Sequence, residues 1–128
     1  MKEHIEYLQN LGLTEYQART LLVLFAKKEV SAEDISRFSG IPHTKVYQVT
    51  RTLKDRGLID CSISKPRVYK VDEPADVINS LIHSFVKRIE WLKESKREQI
   101  KKIKTIELQV TQKESVHPMF QNEVEVEA

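Results

Sequence analysis

One cysteine, Cys61, in 128 residues leaves no disulfide to be closed within the chain. Its place in an alternating apolar stretch reads as a buried strand position rather than a nucleophile. Three scattered glycines cannot build a phosphate-cradling loop. The four histidines, His4, His43, His83 and His117, lack metal-ligand spacing, and no positioned catalytic pair or triad is signalled. Charged residues, 31% of the chain, cut every apolar run well short of the roughly 18 residues that cross a bilayer. Met1-Lys2-Glu3-His4 leads into an amphipathic segment, not the unbroken apolar stretch of a secretory leader. These absences predict a soluble cytoplasmic protein that is not an enzyme, with no metal, no cofactor and no membrane partner.

What the chain does have is concentrated basic charge. Between His43 and Lys70 seven basic residues face two acids, Asp55 and Asp60. The net charge of +2 understates this, because the last fifteen residues hold Glu114, Glu123, Glu125 and Glu127 and no Lys or Arg. Without them, 21 basic residues stand against 15 acidic ones, a net of +6. A positive field of this kind draws anionic partners, nucleic acid first among them.

The basic stretch contains a fenced helix, from Ile41 to Gly57. Pro42 suits a first helical turn, where its missing N–H is no loss, and Gly57 suits the left-handed residue that ends a helix. Val46, Val49 and Leu53 fall on one buried stripe. The opposite face carries Thr44, Gln48 and Arg51, flanked by Lys45, Tyr47 and Lys54, with His43 at its start. Gln and Arg can bond base edges bidentately, Thr offers a hydroxyl and a methyl, and Lys attracts phosphate regardless of sequence. This is the inventory of a recognition helix.

Its surroundings agree. A first helix is expected from about His4 to Leu11, with Ile5, Leu8 and Leu11 as its apolar edge, stopped by Gly12. Thr14 and Gln17 form a capping box for a second helix, whose Ala18, Leu21, Leu22, Val23, Leu24 and Phe25 make it the centre of the core. Ser31 caps a short third helix, stapled by Val30 and Ile35, with Ile35 and Phe38 inward and Gly40 at its end. Third helix, short turn and fenced helix have helix-turn-helix spacing. After Gly57 the period becomes two: Ile59, Cys61 and Ile63, then the turn Ser64-Lys65-Pro66-Arg67, then Val68 to Val71. A two-stranded hairpin behind a helix-turn-helix is a wing, and Lys65 and Arg67 at its tip suit contact with the DNA backbone.

From Pro74 to about Gln112 no proline or glycine recurs, and a single long helix is expected. Ile82, Ile89, Ile103 and Val110 occupy one heptad position, and Ile78, Phe85, Leu92 and Ile106 the other, with Lys96 and Gln99 interrupting midway. So long a helix, polar over most of its surface, must bury this seam, and a second copy of the chain is the expected partner. Leu81 and Val86 widen the stripe towards the winged domain, while Trp91 lies off the seam. At 1.5 Å per residue the helix is roughly 58 Å long, against about 34 Å between adjacent major grooves. That favours a parallel coil or a partly overlapped antiparallel one.

Three stretches, LGLTEYQAR (Leu11 to Arg19), SGIPHTKVYQV (Ser39 to Val49) and LKDRGLI (Leu53 to Ile59), resemble the DNA-binding domain of the TrmB-type archaeal transcriptional regulators, within the winged-helix group that includes the MarR type. His43 stands where the resemblance leads one to expect a basic residue. Larger members resembling this chain continue into a sugar-sensing domain; here the long helix follows instead, and no bound sugar is carried over.

The expected fold is mainly α with a small β-hairpin. It comprises a winged helix-turn-helix over 1–72, a long dimerisation helix over 73–112 and a flexible acidic tail over 113–128. The expected function is a homodimeric, sequence-specific regulator of transcription on double-stranded DNA, with no small-molecule effector specified by the residues. A protein-protein adaptor built on the same fold is the alternative, since winged helices serve both purposes.

Overall fold

A computed structural model describes residues 1–113 of the chain. The expected acidic tail lies outside the described residues. Residues 1–88 form one compact unit, and the chain from Ile89 onward forms a second.

In the first unit, α1 (Lys2–Asn10) has Leu11 as its C-cap, and Gly12 beyond it turns the chain with a φ of 99°. The expected capping box opens α2 (Glu15–Lys27): the Gln17 N–H donates to Thr14 Oγ1 at 3.1 Å, and the Thr14 N–H donates to Gln17 Oε1 at 2.9 Å. Ala18, Leu21 and Leu24 are fully buried, and α2 packs against α1, α3, α4 and the sheet, so it is the central helix as its apolar circumference predicts. Burying each leucine contributes about 1.5–3 kcal/mol. Lys28 reverses the chain with a positive φ of 74°.

That reversal creates an element absent from the periodicity. Glu29–Val30 is a strand, β1, paired antiparallel with β3 (Tyr69–Val71), while β2 (Ile59–Cys61) pairs with the other edge of β3. The hairpin is therefore part of a three-stranded sheet of order β1-β3-β2. Across the β1–β3 pair Lys70 Nζ lies 3.6 Å from Glu29 Oε2. Central in the sheet, Tyr69 is buried, as are Leu58 and Ile59 beside it.

The expected alternation stops at Cys61, which is half-buried. Ile63, read as the next strand residue, is 100% exposed in the loop beyond β2. Ser62 redirects the chain there: its N–H donates to the Val68 carbonyl and its Oγ accepts the Val68 N–H, both at 2.9 Å.

Ser31 caps α3 (Ala32–Ser39) by accepting the Asp34 N–H at 3.2 Å, and Gly40, left-handed at φ 78°, ends it. Ile35 is buried as expected, but Phe38 is 50% exposed rather than inward. On an eight-residue helix the stripe defined by Ala32 and Ile35 ends before Phe38. The Phe38 ring instead lies beneath Lys27 Nζ, 4.5 Å from its centroid, and Arg37, 4.9 Å away.

The long helix, α5, runs from Pro74 to Lys113. Its first turns join the core of the first unit through Val77 and Leu81. Val86, expected to help, is 46% exposed; Val77, one turn before Leu81, takes the inward place. From Ile89 to Lys113 the chain is helical, and the apolar residues from Ile89 to Val110 are exposed in the single chain.

Among the described residues one buried side-chain group is unsatisfied. Thr20, fully buried on α2, has no hydrogen-bond partner for its Oγ1, whereas Thr50, equally enclosed on α4, donates to the Val46 carbonyl at 3.0 Å. An unpartnered buried hydroxyl costs about 1–3 kcal/mol. Thr20→Val should therefore raise the urea midpoint, by about 1 kcal/mol of stability, while Thr50→Val should lower it. A loss of stability in Thr20→Val would mean that its hydroxyl has a partner in solution.

Candidate nucleic-acid interface

The helix fenced by Pro42 and Gly57 is α4 (His43–Asp55). Pro42 is its N-cap rather than a residue of the first turn, with Arg56 as C-cap and Gly57 beyond at φ 76°. Val46, Val49 and Leu53 are buried as the stripe predicts, and Thr50 joins them. His43, Thr44, Lys45, Tyr47, Gln48, Arg51 and Lys54 are all exposed, as are Lys65 and Arg67 on the loop between β2 and β3. The backbone thus presents all nine predicted contact residues to solvent.

The connection between α3 and α4 is held by groups that the sequence reading did not single out. Ile41, only 1% exposed, plugs the core. Ser36 Oγ donates to the Ile41 carbonyl at 2.6 Å, the Ile41 N–H donates to Ser39 Oγ at 3.1 Å, and Arg19 Nη1 donates to the Ser39 carbonyl at 3.3 Å. These bonds satisfy backbone groups that the turn would otherwise leave unpaired, and they fix the angle at which α4 leaves α3. The sequence signal for these bonds was two serines, Ser36 and Ser39, ahead of the turn.

The exposed residues divide between concave surfaces on either side of α4. On the wing side, Tyr47, Arg51, Lys54 and Arg67, with Ile63, line a crease of about 490 Å³. Towards the start of α4, His43, Tyr47, Lys65 and Arg67 border a second hollow, of about 470 Å³. There the His43 and Tyr47 rings meet edge to face, 5.6 Å apart. On the other side, Lys45 and Gln48 face Thr14 and Tyr16 of the α2 start across a hollow of about 470 Å³. Thr44 lines none of these hollows.

Among the described residues four cations of the head lie in salt bridges, none of them on this surface. Arg19 pairs with Glu15, Arg37 with Asp34, Lys28 with Glu73 and Lys70 with Glu29. Among the described residues, Lys45, Arg51, Lys54, Lys65 and Arg67 take part in no salt bridge. Cations held without carboxylate partners remain available to external anions. No group of three or more His, Cys, Asp or Glu among the described residues could hold a metal, and no described helix is long and apolar enough to cross a membrane.

Of the expected seam, Ile78 and Phe85 are half-buried, while Ile82, Ile89, Leu92, Ile103, Ile106 and Val110 are exposed. Ile100, not in the predicted set, is also exposed and adjoins the polar position Gln99. Trp91, off the seam, is 60% exposed.

Three helices, a three-stranded sheet, an outward-facing fourth helix and a basic loop define a winged helix-turn-helix protein with a long C-terminal helix. The particular family follows from comparison. A family model described as "Sugar-specific transcriptional regulator TrmB" matches residues 8–75, more than half of the chain, which therefore belongs to the TrmB family. Over 107 residues, 84% of this chain, it is 32% identical to the HTH-type sugar sensing transcriptional regulator TrmBL1 of Pyrococcus furiosus. The match covers 31% of that protein, so the chain spans about a third of its relative's length.

The solved structure of TrmBL2, described as an archaeal chromatin protein with a novel mode of DNA binding, superposes with a TM-score of 0.71 at 21% identity. That match covers 94% of this chain and 48% of that one. The transcriptional regulator Tm0710 from Thermotoga maritima shares the fold at a TM-score of 0.51 and 16% identity, over 91% of this chain and 89% of that one.

Proposed function

We propose that this protein is a cytoplasmic, homodimeric transcriptional regulator that binds double-stranded DNA in a sequence-specific way. In this reading α4 enters the major groove, whose width of about 12 Å admits a helix, and the wing loop rests on the flanking backbone. Thr44, Gln48 and Arg51 read base edges, with His43 and Tyr47 at the margin. Lys45, Lys54, Lys65 and Arg67 hold phosphates. The role is binding, with no catalytic step and no cofactor.

The observation that carries the reading is the set of unpaired, exposed cations around α4 and the wing, on a head whose other arginines and lysines are partly matched by carboxylates. Family membership supports regulation of transcription as the setting. The dimer is supported by the exposed apolar seam of α5, because a helix of 40 residues with isoleucines in solvent gains stability by pairing.

Sequences selected from random duplexes, followed by titration with two variants, test the division of labour. Arg51→Ala should cost about 1–3 kcal/mol and relax preference at one base pair, whereas Lys65→Ala should weaken all sequences alike and lower the salt slope by about 1. Identical behaviour of the two variants would refute the assignment. Absence of duplex binding at low salt would favour the adaptor instead.

The dimer has its own test. Ile89→Asp buries a charge in the proposed seam, and the variant should sediment as a monomer. A surviving dimer would move the interface away from α5, towards α1.

A further inference from the structure

We propose that Ile63 acts as an apolar wedge that enters the minor groove beside the site read by α4 and partly unstacks one base step. The inference rests on the DNA-binding reading above and adds to it a residue that deforms the duplex.

Exposure alone does not single out Ile63, since isolated surface aliphatics are common. Its setting does. The side chain is 100% exposed at the wing, where the loop is tied by Ser62: its N–H donates to the Val68 carbonyl, its Oγ accepts the Val68 N–H, and that Oγ donates to the Ser64 carbonyl at 3.2 Å. Those bonds tie the backbone on either side of Ile63.

Ile63 also lines the same crease as Arg51, Lys54 and Arg67, with Lys65 two residues further along the loop. None of these four cations is salt-bridged among the described residues. A protein partner that covered Ile63 with an apolar patch would have to desolvate all four. Duplex DNA offers phosphates to the cations and the flat faces of sugars and bases to the isoleucine. Branched aliphatic side chains inserted from the minor groove are a known means of kinking DNA, and pyrimidine–purine steps yield to it most easily.

The test uses the full chain and a short duplex of alternating TA steps in which 2-aminopurine replaces some adenines, so that loss of stacking is read as increased fluorescence. The wild-type protein should brighten the probe on binding. Ile63→Ser should bind about tenfold more weakly, leave the probe dim and keep the wild-type salt slope, because no charge is removed. If the wild-type protein binds with steep salt dependence but leaves the probe dim, or if Ile63→Ser brightens it equally, the wedge is refuted while the DNA-binding reading stands. If the wild-type protein does not bind the duplex at low salt, both are refuted, and Ile63 belongs to a protein-docking surface.

Discussion

The burial of one side of α4 is the constraint on which the rest depends. Val46, Val49, Thr50 and Leu53 are held in the core, with α2 and α3 packed against the helix and β2 beside it. Four buried positions over two turns fix the rotation of the helix about its axis. The turn from Ser39 to Pro42, tied through Ser36, Ser39 and Arg19 and plugged by Ile41, fixes its direction. With both set, Gln48 and Arg51 have no alternative but to face outward, and a rigid element presents them without the entropy cost of ordering a loop on binding.

Electrostatics then gives that outward face its character. Arg19 and Arg37 are matched by acids on their own helices, one turn away, while Lys28 and Lys70 are matched by Glu73 and Glu29. Such exposed pairs add little stability, but they neutralise part of the positive charge that lies away from α4 and the wing. In the proposed dimer the long helix has a separate role. A second head tethered through α5 would meet DNA at a raised effective concentration, so modest contacts by each α4 could sum to useful affinity.

Much of this could be read from the residues. Thr14 with Gln17, and Ser31, announced their helices because capping is local chemistry, complete within four residues. The stripe of α4 and the span of α5 were legible because the periodicity persists over several turns. What escaped depends on partners remote in sequence. β1 is two residues long and exists only because β3 lies beside it. Phe38 and Ile63 both continue a local pattern past the point where the core ends, and periodicity alone cannot show where that is. For the interface, the outward face was visible in sequence. Its division into a wing side, with Arg51 and Lys54, and an α2 side, with Lys45 and Gln48, required the packed structure.

The most direct test of α4 and the wing as the DNA-contacting surface is lysine footprinting of the protein with and without duplex. Lys45, Lys54 and Lys65 should lose reactivity towards an acetylating reagent when DNA is added. Lys2 on α1, and Lys27, which lines a groove with Met1 and Ile5, should keep theirs. Protection of Lys2 and Lys27 with Lys45, Lys54 and Lys65 still reactive would place DNA on another face and contradict the account.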